Sequence, residues 1–302
     1  MKNIKLLFTA AGILFFAGCS SDNASECASG SDDCDQKGTV ESECQGDSCG
    51  TNTQEGESGK PQDNSQGDPQ GEADSCLKLN HPETGTVCTF GRYRQLSTSE
   101  DKQPIQWQVL DVNDENGILL ISKFVLDQKR FNQTSKNVTW ETCTIRSWLN
   151  GLGKDDNIEG IDYSDDNFMK IAFNNDEVKY IKTVTNINPD YEFEGRIIEA
   201  GNDTVDKIFF LSRDEANQYY SRSRDRLAYG TEYLSTTRVL NNTDFCYEDD
   251  CTKSQYSSMW WLRSPGHQQY IAARICCNGG GIFSNLVESN EIGIRPVLWL
   301  KK

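Results

Sequence analysis

Histidine is almost missing from these 302 residues: only His81 and His267 occur. Two scattered imidazoles cannot build a zinc site of histidine ligands. They also leave little for a Ser-His-Asp system, and no Gly-x-Ser-x-Gly turn accompanies them. There is no phosphate-cradling loop; Asn278-Gly279-Gly280-Gly281 is a turn signal, not the dinucleotide fingerprint. No internal repeat marks a solenoid or a propeller. Beyond the first 18 residues no run is long and apolar enough to cross a bilayer. From Ser20 to Ser75 there is no aromatic residue and no Leu, Ile or Met. Such a stretch cannot bury enough surface to offset the entropy of ordering it.

What that stretch does contain is charge of one sign. It holds 14 Asp and Glu against Lys37 and Lys60, so it carries −12 of the chain's −16. Lys2 and Lys5 contribute +2, which leaves −6 for residues 76–302. Rich in Gly, Ser, Asn, Gln and Asp, it reads as a disordered stalk over residues 19–75. A flexible chain of this length spans about 40 Å, and self-repulsion lengthens it. The acidity argues against nucleic acid and anionic lipid as partners.

The N-terminus gives the stalk an anchor. Lys2 and Lys5 precede an apolar run from Leu6 to Phe16 and then Ala17-Gly18-Cys19-Ser20, the layout of a secretory signal. A cysteine directly after Ala-Gly resembles the bacterial lipobox, with Phe16 where that motif usually has leucine. The resemblance implies a signal peptide over 1–18 and a lipidated Cys19 as the mature N-terminus. It places the protein in the bacterial cell envelope, lipid-anchored at an outer membrane or the cell surface.

Twelve cysteines suit an oxidising compartment. Without Cys19 an odd number remains, so at least one thiol is left over. Proximity suggests the bridges Cys76–Cys88 and Cys246–Cys251. Adjacent Cys276 and Cys277 rarely bridge each other. On a strand they would face opposite ways toward two partners, with Cys143 a candidate for one.

Residues 76–302 read as a globular α+β domain with short strands, few helices and long loops. Phe90–Tyr93 suggests a first strand. Ile105, Trp107 and Val109 alternate with polar residues, and Leu110 and Val112 fall on the second face. An Asn116-Gly117 turn then leads into Ile118–Ser122, a hairpin pattern. That second run is apolar on both faces and is expected to be central. Helices are expected over Thr139–Asn150, over Phe168–Phe173, and after the Ser212/Glu215 capping box. Trp260–Arg263, Tyr270–Cys276 and Ile292–Leu300 read as strands, with Ser264-Pro265-Gly266 as a turn.

Two segments carry a resemblance: Trp260-Trp261-Leu262-Arg263-Ser264-Pro265-Gly266 and Gly293-Ile294-Arg295-Pro296-Val297-Leu298-Trp299. With Phe90-Gly91, Trp107, Phe131-Asn132 and Ile145–Asn150 in the same order, they resemble a family of domains of unknown function in bacterial surface proteins and lipoproteins. The match covers about residues 88–300. The closing Gly-Ile-Arg-Pro-Val strand is also similar to the last strand of C-type-lectin-like folds, including the formylglycine-generating branch. The resemblance implies that the two segments meet in a central sheet. Trp260, Trp261 and Trp299 would then fill the core, with Gly293 in the closing strand, and Arg263 and Arg295 would tie loops.

The chemistry is sparser. Cys246-Tyr247-Glu248-Asp249-Asp250-Cys251 reads as a disulfide-closed surface loop. Alternatively Asp244, Glu248, Asp249 and Asp250 could supply part of a calcium shell. Otherwise no cofactor is expected. The Cys246/Cys251 spacing is also that of the reactive pair in formylglycine-generating copper enzymes. The expected role is binding, not catalysis, with a glycan, a protein or another envelope component as ligand. The expected contacts are the polar and aromatic loop residues His267, Gln268, Gln269, Tyr270, Phe283, Asn285 and Glu288. A formylglycine-generating-type enzyme and a purely structural envelope protein are the alternatives.

Overall fold

A computed structural model describes residues 73–237 and 257–302. The lipobox, the stalk up to residue 72, and the loop bearing Asp244, Cys246, Glu248, Asp249, Asp250 and Cys251 lie outside the described residues. The architecture is mixed α and β, mostly strands with five short helices. In chain order the elements are β1 (Val87–Arg94), β2 (Lys102–Asn113), β3 (Gly117–Ser122), β4 (Asp127–Gln128), α1 (Thr144–Asn150), α2 (Phe168–Ala172) and α3 (Asn175–Val178). Next come β5 (Val184–Asn186), β6 (Tyr191–Phe193), β7 (Arg196–Ile198), β8 (Thr204–Asp206), β9 (Ile208–Phe209), α4 (Arg213–Tyr219) and α5 (Glu232–Thr237). Last come β10 (Trp260–Pro265), β11 (Ile271–Ile275), β12 (Ile282–Leu286), β13 (Gly293–Ile294) and β14 (Val297–Leu300). Two five-stranded sheets run β1-β2-β3-β14-β9 and β12-β11-β10-β13-β4, and β5-β8 and β6-β7 form small pairs.

The β2–β3 hairpin forms at the Asn-Gly turn, and β3 is buried along its whole length. Gly117 sits at φ +95°, and any Cβ there would strike the carbonyl of Leu300. The register of β2 slips between Val109 and Asp111. Leu110 is the extra residue, so Val112 returns to the face of Val109 instead of taking the second face. Helix α1 begins at Thr144, five residues later than its sequence suggests. Trp140 leaves the helical path to donate to buried Asp206, and Glu141 turns to Asn202. A distant residue supplies the cap instead: Asn132 Oδ1 accepts from Thr144 N at 3.2 Å. Helix α2 is capped by Asn167, and α4 opens on the expected Ser212/Glu215 box.

The closing segment is not one strand. Gly293 pairs in parallel with Trp260 in one sheet, while Val297–Leu300 pairs with β3 and β9 in the other. The change of sheet falls at Arg295-Pro296. Proline has no N–H to continue a ladder, so it suits the crossing point. As strands, the two signature segments therefore pair only at Trp260 and Gly293. A Cβ on Gly293 would strike Val125, so β13 fits between β10 and β4 only as glycine.

Other expectations also change. Ser264-Pro265 is not a turn but the end of β10, after an irregularity in register, and the turn itself spans Gly266 to Tyr270. Phe283 to Leu286 is not loop but β12, an edge strand. Cys143 does not pair with Cys276 or Cys277; it is a free, fully buried thiol donating to the Trp140 carbonyl. Cys276 and Cys277, just past β11, are both disulfide-bonded. Cys76 and Cys88 are joined, which fastens the segment before β1 to that strand.

Candidate functional site

The signature residues divide by what they touch. Trp260 and Trp261 are fully buried, and each indole N–H finds a backbone carbonyl, of Arg226 and of Lys129. Arg295 donates to the Ser122 carbonyl and lies over the Trp260 ring, 5.1 Å from its centroid. Arg263 is buried and serves four partners. It donates to the carbonyls of Phe210 and Ile187, to Asn188 Oδ1, and in a two-pronged pair to both oxygens of Glu215, Nη2 to Oε1 at 2.7 Å. Glu215 also accepts from the Ser212 backbone N–H, so the carboxylate that caps α4 also binds Arg263.

Trp299 does not join the core as expected. Its strand neighbours Val297, Leu298 and Leu300 are buried, but Trp299 is only half-buried. It opens with Phe209 and Leu119 onto a groove of about 350 Å³ on the outer face of the first sheet. Helix α4 brings Tyr219 and Glu215 to one side, and the β5 segment brings Lys182 to Asn186 to the other. Asn116, from the β2–β3 turn, closes an end. Lys182 is fixed from two directions. Its backbone N–H donates to the Trp299 carbonyl, and its ammonium donates to the Glu115 carbonyl and Asn116 Oδ1, both at 2.7 Å. Burial, then the charges of Glu215 and Asp111, push the Tyr219 phenol up to about 12, so it stays a donor at neutral pH. An apolar aromatic floor with few fixed polar groups around it is the usual construction of a small-ligand site.

Two other cavities are lined by groups largely spent on the fold. One, of about 440 Å³, has Glu141, Asp156 and Asp203 on its wall, and each accepts a backbone N–H. The other, of about 310 Å³, has Lys129 held over the Trp148 ring and Arg130 donating to the Gln133 carbonyl. Asp206, beside the first of these, is buried and accepts from Trp140, Arg146, Asn186 and Thr204. Among the described residues no cluster of three or more His, Cys, Asp or Glu could hold a metal ion. Among them, too, no helix is long and apolar enough to cross a membrane.

The contacts expected from the sequence lie together on the β10–β11–β12 hairpins but line none of these cavities. His267 packs its ring 5.5 Å from that of Phe193. Gln268 accepts from Ile271, and Tyr270 accepts from Val287. Gln269 ties the turn to the carbonyls of Val138 and Glu199. Phe283 and Glu288 are exposed and Asn285 is half-exposed. The groove residues Asn116, Lys182, Asn186 and Tyr219 had no functional reading in the sequence. The one local signal was the alternation Lys182-Thr183-Val184-Thr185-Asn186, which marks a short two-faced strand.

Among known protein families, the model described as Domain of unknown function (DUF6273) matches residues 115–302, more than half of the chain. The match opens in the β2–β3 turn and so leaves β1 and all of β2 outside it. No curated protein matches, and no solved structure matches.

Proposed function

We propose, from the premise that the chain belongs to the DUF6273 family, that its domain is a C-type-lectin-like binding module displayed at the bacterial envelope. The anchor is a lipid on Cys19, and the acidic stalk holds the domain away from the membrane. The loop-rich α+β architecture and the closing strand set between β3 and β9 support the lectin-like reading. The ligand is a glycan, free or carried on an envelope component. The observation that carries this is Trp299, half-exposed at the floor of a polar groove in a strand whose other residues are buried. A flat aromatic face receives the C–H face of a sugar ring, and the amide, hydroxyl and ammonium groups around it match hydroxyls.

The full chain, produced under oxidising conditions, is screened on arrays of glycans and envelope polymers beside its Trp299→Ala variant. Saturable binding that weakens by about tenfold or more in the variant is expected, a loss of about 1.4 kcal/mol. The unfolding midpoint should show that the variant stays folded. Binding that survives Trp299→Ala but disappears on replacing Gln268, Tyr270 and Phe283 would move the site to the hairpins. Binding to no carbohydrate would remove the glycan reading.

A further inference from the structure

We infer that the groove selects an acidic sugar, with Lys182 receiving its carboxylate; this rests on the glycan-binding reading above. The argument is an account of charge and of hydrogen-bonding capacity. Among the described residues only two charged side chains line the groove, Lys182 and Glu215. Glu215 is matched inside the protein by the two-pronged pair with Arg263, and it already accepts three hydrogen bonds. Among the described residues Lys182 makes no ion pair. Its partners are a carbonyl and an amide oxygen, both neutral. The uncompensated charge on the groove wall is therefore positive, in a domain whose own balance is −6.

The donors point the same way. An ammonium has three N–H groups, and two of those on Lys182 are spent on the β2–β3 turn, which leaves one. Asn116 uses its Oδ1 on Lys182, and among the described residues no acceptor engages its amide N–H groups. Tyr219 keeps its phenolic proton. Thr183 and Thr185 add hydroxyls that both give and accept, and Asn186 adds an amide oxygen, its amide nitrogen donating to Asp206. What sets a carboxylate apart from a neutral sugar on this wall is the uncompensated Lys182 charge. The lysine is also held in place before the ligand arrives, which reduces the ordering cost on binding. Beyond Glu215, acidic residues beside the wall are Asp111, which raises the Tyr219 phenol but does not line the groove, and exposed Glu115, whose carbonyl Lys182 already engages.

The test uses uronic-acid oligosaccharides (galacturonate, glucuronate and mannuronate) and the methyl ester of each, which keeps the shape and removes the charge. Affinities for the full chain are measured by calorimetry. The acid should bind about five- to tenfold tighter than its ester for at least one pair, and added salt should narrow the gap. Lys182→Met should weaken the acid about five- to tenfold more than the ester and so close the gap between them, while Lys182→Arg should keep most of the preference. Equal affinities for acid and ester, or a Lys182→Met variant that weakens both alike, would overturn the inference. Trp299→Ala separates the two levels. If it abolishes ester binding while acid and ester remain equal in the parent protein, the glycan reading stands and the acidic preference falls. If no acid and no ester binds, both fall.

Discussion

The groove on the first sheet and the hairpin surface on the second hold similar kinds of residue, but different structures stand behind them. On the hairpins Phe283 and Leu286 project from β12, the outermost strand of its sheet, and they are close in sequence. In the groove Asn116, Lys182, Phe209, Tyr219 and Trp299 come from segments far apart in the chain and converge on one depression. Behind them, Arg263 joins α4 to the loop that follows β5, through Glu215, Asn188 and the Ile187 carbonyl. Exposure alone supplies contact area. Convergence on a rigid backing supplies geometry, and geometry makes a small-ligand site.

The largest test of this contrast is to remove the backing. Arg263→Met strands the Glu215 carboxylate and two carbonyls, and it should cost about 3–5 kcal/mol in chemical denaturation. Glycan binding should be lost with it. Phe283→Ser on the hairpin should change stability by under about 0.5 kcal/mol. Comparable losses from the two substitutions would erase the distinction drawn here.

A middle-sized effect should leave both surfaces as they are. Replacing Cys76 and Cys88 together by alanine opens a short loop at β1, away from groove and hairpins alike. The expected loss is about 2–3 kcal/mol of stability, read from the denaturation midpoint, with glycan affinity unchanged. A change in affinity would show that β1 helps to hold the groove.

A last effect concerns pH and is absent at neutrality. Burial pushes the Cys143 thiol from an ordinary 9.0 up to about 12, and Tyr219 on the groove wall moves up to about 12 from 10.0. In both cases the folded state holds a proton that the unfolded chain releases first. The stability they contribute is therefore complete below about pH 9 and is lost as the pH climbs toward about 12. Denaturation midpoints across that range should fall less steeply in Cys143→Ala. An unchanged slope would assign the alkaline loss to other groups.

Much of the fold was legible in the sequence because it is locally encoded. The Asn116-Gly117 turn, the doubly apolar β3 and the Ser212/Glu215 box are each a pattern a few residues long. Helix α1 was read as too long because its cap, Asn132, comes from elsewhere in the chain. The closing strand was read as continuous because strand patterning does not say which sheet a strand joins; Pro296 was the signal, and it needed β3 and β10 beside it to mean anything. The candidate site was hardly legible. Trp299 reads as core from its apolar neighbours, and only the placement of α4 and β5 leaves one side of it open. Lys182 looks like one of many surface lysines until its ammonium is seen between Glu115, Asn116 and the groove.

The crossing at Pro296 also bears on when this domain can form. Neither sheet is complete without residues 293–300: β3 and β9 have no bridge until β14 arrives, and β10 and β4 have none until β13 does. Synthesis delivers those residues after all the other described strands. Until they are made, the apolar strand Gly117–Ser122 lacks one of its two neighbours, and its exposed edge is open to wrong pairing.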